Sequence, residues 1–197
     1  MNVNLTDFIY NRILSIDVGI KHLSLCLIDF HSTIWHYNIQ KWDLIALSGK
    51  NISDYTRDIV EKLRRYDFGL IDSILIEQQV SRNTQMKTLS HVLQAYFMCE
   101  LKVTADKIIF VSPKTRFNTN NIHYNELVQR CRKQLNIDEK MSRRDIKKLS
   151  IVITKMELKN SDTWLRFFES NKKADDLADS FIQAIAWENN RRSYSLG

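Results

Sequence analysis

Three groups of acidic residues stand where apolar residues would be expected. Asp17 interrupts the run Ile13-Leu14-Ser15-Ile16-Asp17-Val18-Gly19-Ile20, and Glu77 ends the run Ile74-Leu75-Ile76. Asp175, Asp176 and Asp179 open an otherwise apolar stretch that reaches Trp187. A carboxylate taken out of water costs several kcal/mol unless a cation or hydrogen bonds compensate it. Carboxylates that converge are the usual setting for a divalent cation, and a donor set made only of oxygen suits Mg²⁺ or Mn²⁺. Two such ions about 3.5–4 Å apart can activate a water, hold a phosphate and stabilise a leaving oxygen. Hydrolysis of a phosphodiester is the leading reaction for such a set.

The elements around these residues give the convergence a geometry. Residues 12–19 and 22–30 read as two strands joined by the tight turn Gly19-Ile20-Lys21, and residues 34–42 as a third strand. Ser53 and Asp54 mark the start of a helix over 55–66, with Tyr55, Ile59 and Leu63 at i, i+4 spacing. Residues 72–78 read as a short buried strand, 84–101 as a long helix, and 107–111 as a fifth strand ended by Pro113. Helices follow over 124–135, 143–158, 163–169 and 174–190. A meander beside β-α-β crossovers predicts a mixed α/β sheet covered by helices. If the first and fourth strands lie parallel and adjacent, Asp17 is four residues beyond Ile13 and Glu77 four beyond Ser73. At matched depth the two are one strand spacing apart, roughly 4.8 Å. Two carboxylates that close repel, and a divalent metal is the simplest resolution. On the last helix Asp176 and Asp179 share a face away from the apolar stripe of Leu177, Ala178, Phe181, Ile182 and Ile185. Asp175 lies between that face and the stripe.

The chain has 197 residues, 44% of them hydrophobic, enough for one domain with a sizeable core. We read residues 1–11 as an N-terminal extension, 12–192 as a single domain and 193–197 as a tail. No apolar stretch approaches the roughly 20 residues of a membrane span, so no membrane partner is expected. Residues 1–10 do not read as a signal peptide. Cys26, Cys99 and Cys131 lack any CxxC spacing. They argue for an intracellular, reducing compartment and read as small buried hydrophobes. Net charge is +6, with basic pairs at Arg64-Arg65, Arg143-Arg144, Lys147-Lys148, Lys172-Lys173 and Arg191-Arg192. Positive charge clustered near carboxylates suggests a polyanion held over bound metal. Arg82, Asn83 and Lys87, at the entry to the long helix, and Arg143, Arg144 and Lys147 are candidate phosphate contacts. Trp164, Phe167 and Phe168 sit at helical spacing and read as core rather than as a stacking platform.

Three segments together resemble the motifs of RuvC-type Holliday junction resolvases. They are Ile16-Asp17-Val18-Gly19-Ile20-Lys21, then Leu75-Ile76-Glu77-Gln78-Gln79, then Lys173-Ala174-Asp175-Asp176-Leu177-Ala178-Asp179-Ser180-Phe181. With Val111-Ser112-Pro113, the last motif looks most like the poxvirus branch. The resemblance spans residues 12–190 in the right order. It implies an RNase H-like fold, with a three-strand meander plus two parallel strands flanked by helices. It also implies a homodimer and Mg²⁺-dependent, paired nicking of four-way DNA junctions. In a poxvirus-like setting the activity would serve viral recombination and concatemer resolution in the host cytoplasm. The family's acidic ligands carry over to Asp17, Glu77, Asp176 and Asp179, with Asp175 in a supporting role. The family's catalytic lysine carries over to Lys148, in Lys148-Leu149-Ser150-Ile151, with Lys147 as the alternative.

Rival readings differ in substrate. A ribonuclease H or transposase-like nuclease uses similar carboxylates and a different channel, and cleavage of an RNA–DNA hybrid in preference to a junction would favour it. An actin-like or sugar-kinase ATPase is suggested by Asp17-Val18-Gly19, but it needs a second half-domain and a glycine-rich loop. Four glycines in 197 residues supply neither, so no nucleotide cofactor is expected. A junction-binding protein without catalysis is disfavoured because every acidic position of the family motifs is filled.

Overall fold

The structure is a computed structural model that describes residues 10–79, 83–138 and 140–195. The chain divides into two compact units, Met1–Ser112 and Pro113–Gly197.

The first unit is built on a five-stranded mixed sheet in the order β3-β2-β1-β4-β5. Strands β1 (Tyr10–Val18), β2 (His22–His31) and β3 (Tyr37–Ala46) form the antiparallel meander. Strands β4 (Ser73–Glu77) and β5 (Ile108–Val111) add to it in parallel. Parallel neighbours need a crossover. Helix α1 (Ile52–Leu63) carries the chain from β3 to β4, and α2 (Thr84–Cys99) carries it from β4 to β5. This is the mixed sheet that the sequence predicts. One sheet face contributes Leu14, Ile16 and Val18 of β1, Leu23, Leu25 and Leu27 of β2, and Ile74 and Ile76 of β4 to the core. Ile59 and Leu63 of α1 and Leu89, Leu93 and Phe97 of α2 join the same core. Burying a side chain of this size contributes about 1.5–3 kcal/mol. β2 is buried along nearly its whole length, which is why it reads as an unbroken apolar run. Its one carboxylate, Asp29, is matched by Arg12 of β1 through bonds of 2.6 and 2.8 Å. The hydrogen bond to Asp29 raises the pKa of Arg12 further.

Several boundaries differ from expectation. β1 begins at Tyr10, inside the stretch read as an extension. The third strand starts at Tyr37, not Ile34, because residues 32–36 form the turn that closes the β2–β3 hairpin, with His31 N–H donating to His36 C=O at 2.9 Å. Ile34 and Trp35 therefore sit exposed in that turn. The cap of α1 is Asn51, which accepts from Asp54 N–H at 3.0 Å, rather than Ser53 or Asp54. Cys26 and Cys131 are buried as expected, but Cys99 is exposed at the end of α2.

Among its described residues the second unit holds a 3-10 helix (Pro113–Phe117) and four helices: α3 (Ile122–Gln134), α4 (Arg143–Glu157), α5 (Asp162–Ser170) and α6 (Ala174–Ser195). α6 is buried nearly all round in its middle, from Leu177 to Ala186, including the polar Ser180 and Gln183. It contacts α4, α5 and the 3-10 helix. α4 begins with a reciprocal capping box between Ser142 and Asp145, a feature worth about 1 kcal/mol. Phe168 is fully buried, whereas Trp164 and Phe167 are half-buried and pack edge to face, 5.6 Å between ring centres. Among the described residues no helix is long and apolar enough to cross a membrane.

Candidate active site

In the first unit the parallel ladder runs Ile13↔Ser73, Leu14↔Ile74, Ser15↔Leu75 and Ile16↔Ile76. The next residue on each strand is a carboxylate, so Asp17 and Glu77 are neighbours at the carboxyl ends of β1 and β4. Backbones paired in this way lie roughly 4.8 Å apart. Ile16 and Val18 point into the core shared with α1 and α2, so Asp17 points from the opposite sheet face. Across the hairpin its antiparallel partner is the buried Ser24. Asp17 and Glu77 are both half-buried. The hairpin turn behind Asp17 depends on Gly19. Its N–H donates to His22 C=O at 2.9 Å, and a Cβ on Gly19 would meet that carbonyl oxygen at 2.7 Å. Beyond Glu77 the ladder continues through Gln78 N–H to Val111 C=O at 2.8 Å.

In the second unit α4 and α6 meet along two rungs. Lys147 pairs with Asp175, and Ser150 donates to Asp179 Oδ1 at 3.0 Å. Lys147 and Ser150 are three apart and share a face of α4, and Asp175 and Asp179 are four apart on α6. Burial pushes the Asp175 carboxyl up, but the Lys147 hydrogen bond and charge, with Lys173 behind, hold it below its ordinary value. The bond to Asp175 raises the pKa of Lys147, and the charge of Asp176 adds to that rise. Asp176 is half-buried in the first turn of α6, where the helix dipole favours a carboxylate.

Asp179 has a second partner that sequence reasoning missed. Arg116 of the 3-10 helix is 4% exposed, and its Nη1 lies 2.8 Å from the same Oδ1. Its backbone carbonyl accepts from the Tyr124 hydroxyl at 2.8 Å. Burial pushes the Tyr124 pKa well up, so that hydroxyl remains a donor. Arg116 reads in sequence as one of two basic residues in a polar turn, and no periodicity marks that Lys114 faces solvent while Arg116 turns inward. Ser150 likewise carries no local signal, and only its bond to Asp179 marks it.

The structure thus brings Asp17 beside Glu77, and Asp175 and Asp179 beside Lys147, Ser150 and Arg116. Lys148 is exposed, and it is Lys147 that meets the acidic motif of α6. Among the nucleic-acid candidates, Asn83 caps α2 by accepting from Met86 N–H at 3.2 Å, and Lys87 is exposed on the first turns of that helix. Arg143 and Arg144 are exposed at the start of α4, and Arg82 lies outside the described residues. The donor chemistry, carboxylate oxygens in pairs, fits Mg²⁺ or Mn²⁺. Among the described residues no three His, Cys, Asp or Glu side chains form a preassembled metal cluster.

The strand order and the parallel pairing of β1 with β4 define an RNase H-like fold. Solved structures that share it include Holliday junction resolvases. The fowlpox virus resolvase, solved in complex with its substrate Holliday junction DNA, is 18% identical, with 89% of this chain and 95% of that chain covered at a TM-score of 0.61. The yeast mitochondrial Holliday junction resolvase is 19% identical, with 95% and 84% covered at a TM-score of 0.57. Thermus thermophilus RuvC is 11% identical, with 92% and 96% covered at a TM-score of 0.52. At these identities the likeness is one of fold. No protein-family model matches the chain, and no curated protein matches it by sequence.

Proposed function

We propose that this chain is a structure-selective endodeoxyribonuclease that resolves four-way DNA junctions by paired, divalent-metal-dependent hydrolysis of phosphodiesters, acting as a homodimer. The observation that carries this reading is the β1–β4 register, which seats two carboxylates side by side at the strand ends of a fold shared with junction resolvases. Asp17, Glu77, Asp176 and Asp179 would hold Mg²⁺ or Mn²⁺. When bound, such ions supply Lewis acidity for the scissile phosphate and lower the pKa of an attacking water. Lys147 takes the role of the lysine, placing a fixed positive charge beside the acidic motif where negative charge builds on the phosphate. Asp175 keeps Lys147 charged and oriented.

DNA binding falls to exposed cations at helix starts. Arg143 and Arg144 open α4, and Lys87 lies near the start of α2. A cation at the positive end of a helix dipole opposes that dipole by about 0.3–1 kcal/mol, and a phosphate placed there offsets the cost. The net charge of +6 favours a polyanion in the same way. A four-way junction is close to two-fold symmetric, which matches a two-fold dimer with one site for each cut strand. If the source is poxvirus-like, the activity would serve viral recombination and concatemer resolution in the host cytoplasm. The direct test incubates the purified chain with a synthetic four-way junction, with and without Mg²⁺, beside linear duplex and RNA–DNA hybrid. Symmetric nicks in the junction alone support the proposal, and preferential cleavage of the hybrid favours a ribonuclease H.

A further inference from the structure

We infer that Arg116 is a positioning residue that fixes the Asp179 carboxylate and balances its charge until a divalent cation takes over. This inference rests on the metal-dependent reading above. Arg116 sits where a solvated turn residue would not. Its guanidinium is almost fully buried, and its Nη1 contacts Asp179 Oδ1 at 2.8 Å. Its backbone is held independently, because the buried Tyr124 hydroxyl clamps its carbonyl at 2.8 Å. Pro113 fixes the entry to the same turn. The guanidinium is therefore presented to α6 by a frame that does not depend on Asp179. Ser150 donates to the same oxygen from α4 at 3.0 Å, so one neutral and one charged donor converge on Oδ1 from two different elements.

A buried arginine beside a ligand carboxylate has two consequences. The carboxylate is stable in the fold without metal, because its charge already has a partner. A divalent cation must then share Asp179 with a permanent positive charge that cannot deprotonate, which weakens its binding. Arg116 thus sets the metal affinity of the DNA-free chain and leaves the metal to load fully when phosphate oxygens join the site.

The experiment uses the full chain without DNA. Mn²⁺ is titrated into wild type, Arg116→Gln, Arg116→Lys and Asp179→Asn, with binding read by isothermal titration calorimetry and stability by thermal unfolding. In metal-free buffer Arg116→Gln should unfold roughly 5–10 °C below wild type. It should bind Mn²⁺ about tenfold more tightly and regain more of its unfolding temperature on Mn²⁺ addition than wild type gains. Arg116→Lys, which retains the charge, should keep an affinity near wild type. If Arg116→Gln fails to fold without metal but folds in Mn²⁺, the inference stands, because the cation has replaced the guanidinium. If it fails in both conditions, or folds with unchanged or weaker Mn²⁺ affinity, Arg116 is only structural and the inference is wrong. An Asp179→Asn chain that binds Mn²⁺ as wild type does removes Asp179 as a ligand, and that result overturns the underlying reading together with the inference.

Discussion

On α4, Lys147 reaches Asp175 of α6, while Lys148 is exposed and one position, or about 100°, further round the helix. Under the proposed chemistry, Lys147→Met should slow single-turnover cleavage of a four-way junction by about 10²–10³-fold at saturating Mg²⁺. Lys148→Met should stay within a few-fold of wild type, and the reverse order would return the role to Lys148. The pair also has a pH signature. Asp175 is held below its ordinary value of 3.8, so its share of stability is present above that pH and is lost as pH falls through the lower folded value. Lys147 is raised above 10.5, so its share is present below that pH and is lost as pH rises through the higher folded value. The destabilisation of Asp175→Asn relative to wild type should therefore be flat from about pH 5 to pH 9 and fade below about pH 4, as read by urea unfolding across pH. With the Lys147 side chain 42% exposed, its plateau is about 0.5–1 kcal/mol.

At the scale of elements, the β1–β2 hairpin and the β1–β4 ladder fix where the first carboxylate pair stands. Gly19→Ala forces a Cβ onto the His22 carbonyl oxygen at 2.7 Å. We predict a loss of about 1–3 kcal/mol in chemical denaturation, with cleavage reduced further because Asp17 lies two residues before the turn. This part of the site was legible in sequence. The sequence reading supposes the first and fourth strands parallel and adjacent, and the observed ladder has the register counted from Ile13 and Ser73. The third strand was misplaced because Ile34 and Trp35 carry strand-like side chains into a turn, and propensity alone does not distinguish an exposed apolar tip from a strand. The Arg116–Asp179 bond was not legible, because it joins residues 63 positions apart through a turn whose inward-facing member no local pattern marks. The sequence left Lys147 and Lys148 one residue apart, and only the packing of α4 on α6 distinguishes them, by pairing Lys147 with Asp175.

The whole molecule carries a net charge of +6 on a fold shared with solved junction resolvases, and the proposed function adds a two-fold dimer. Sedimentation equilibrium should give a particle near twice the 23.3 kDa chain mass, and a strict monomer at micromolar concentration would contradict paired cleavage by one assembly. Junction affinity should fall steeply with salt, since phosphate contacts dominate it. Under the proposed function, the role of Asp17 and its acidic partners is metal-dependent cleavage, as distinct from binding. It is tested most directly by comparing wild type with Asp17→Asn on a synthetic four-way junction in Mg²⁺, measuring binding and nicking in the same samples. Asp17→Asn should keep near wild-type junction affinity and lose cleavage by at least about 10³-fold. Cleavage by Asp17→Asn at a rate near wild type would contradict that role.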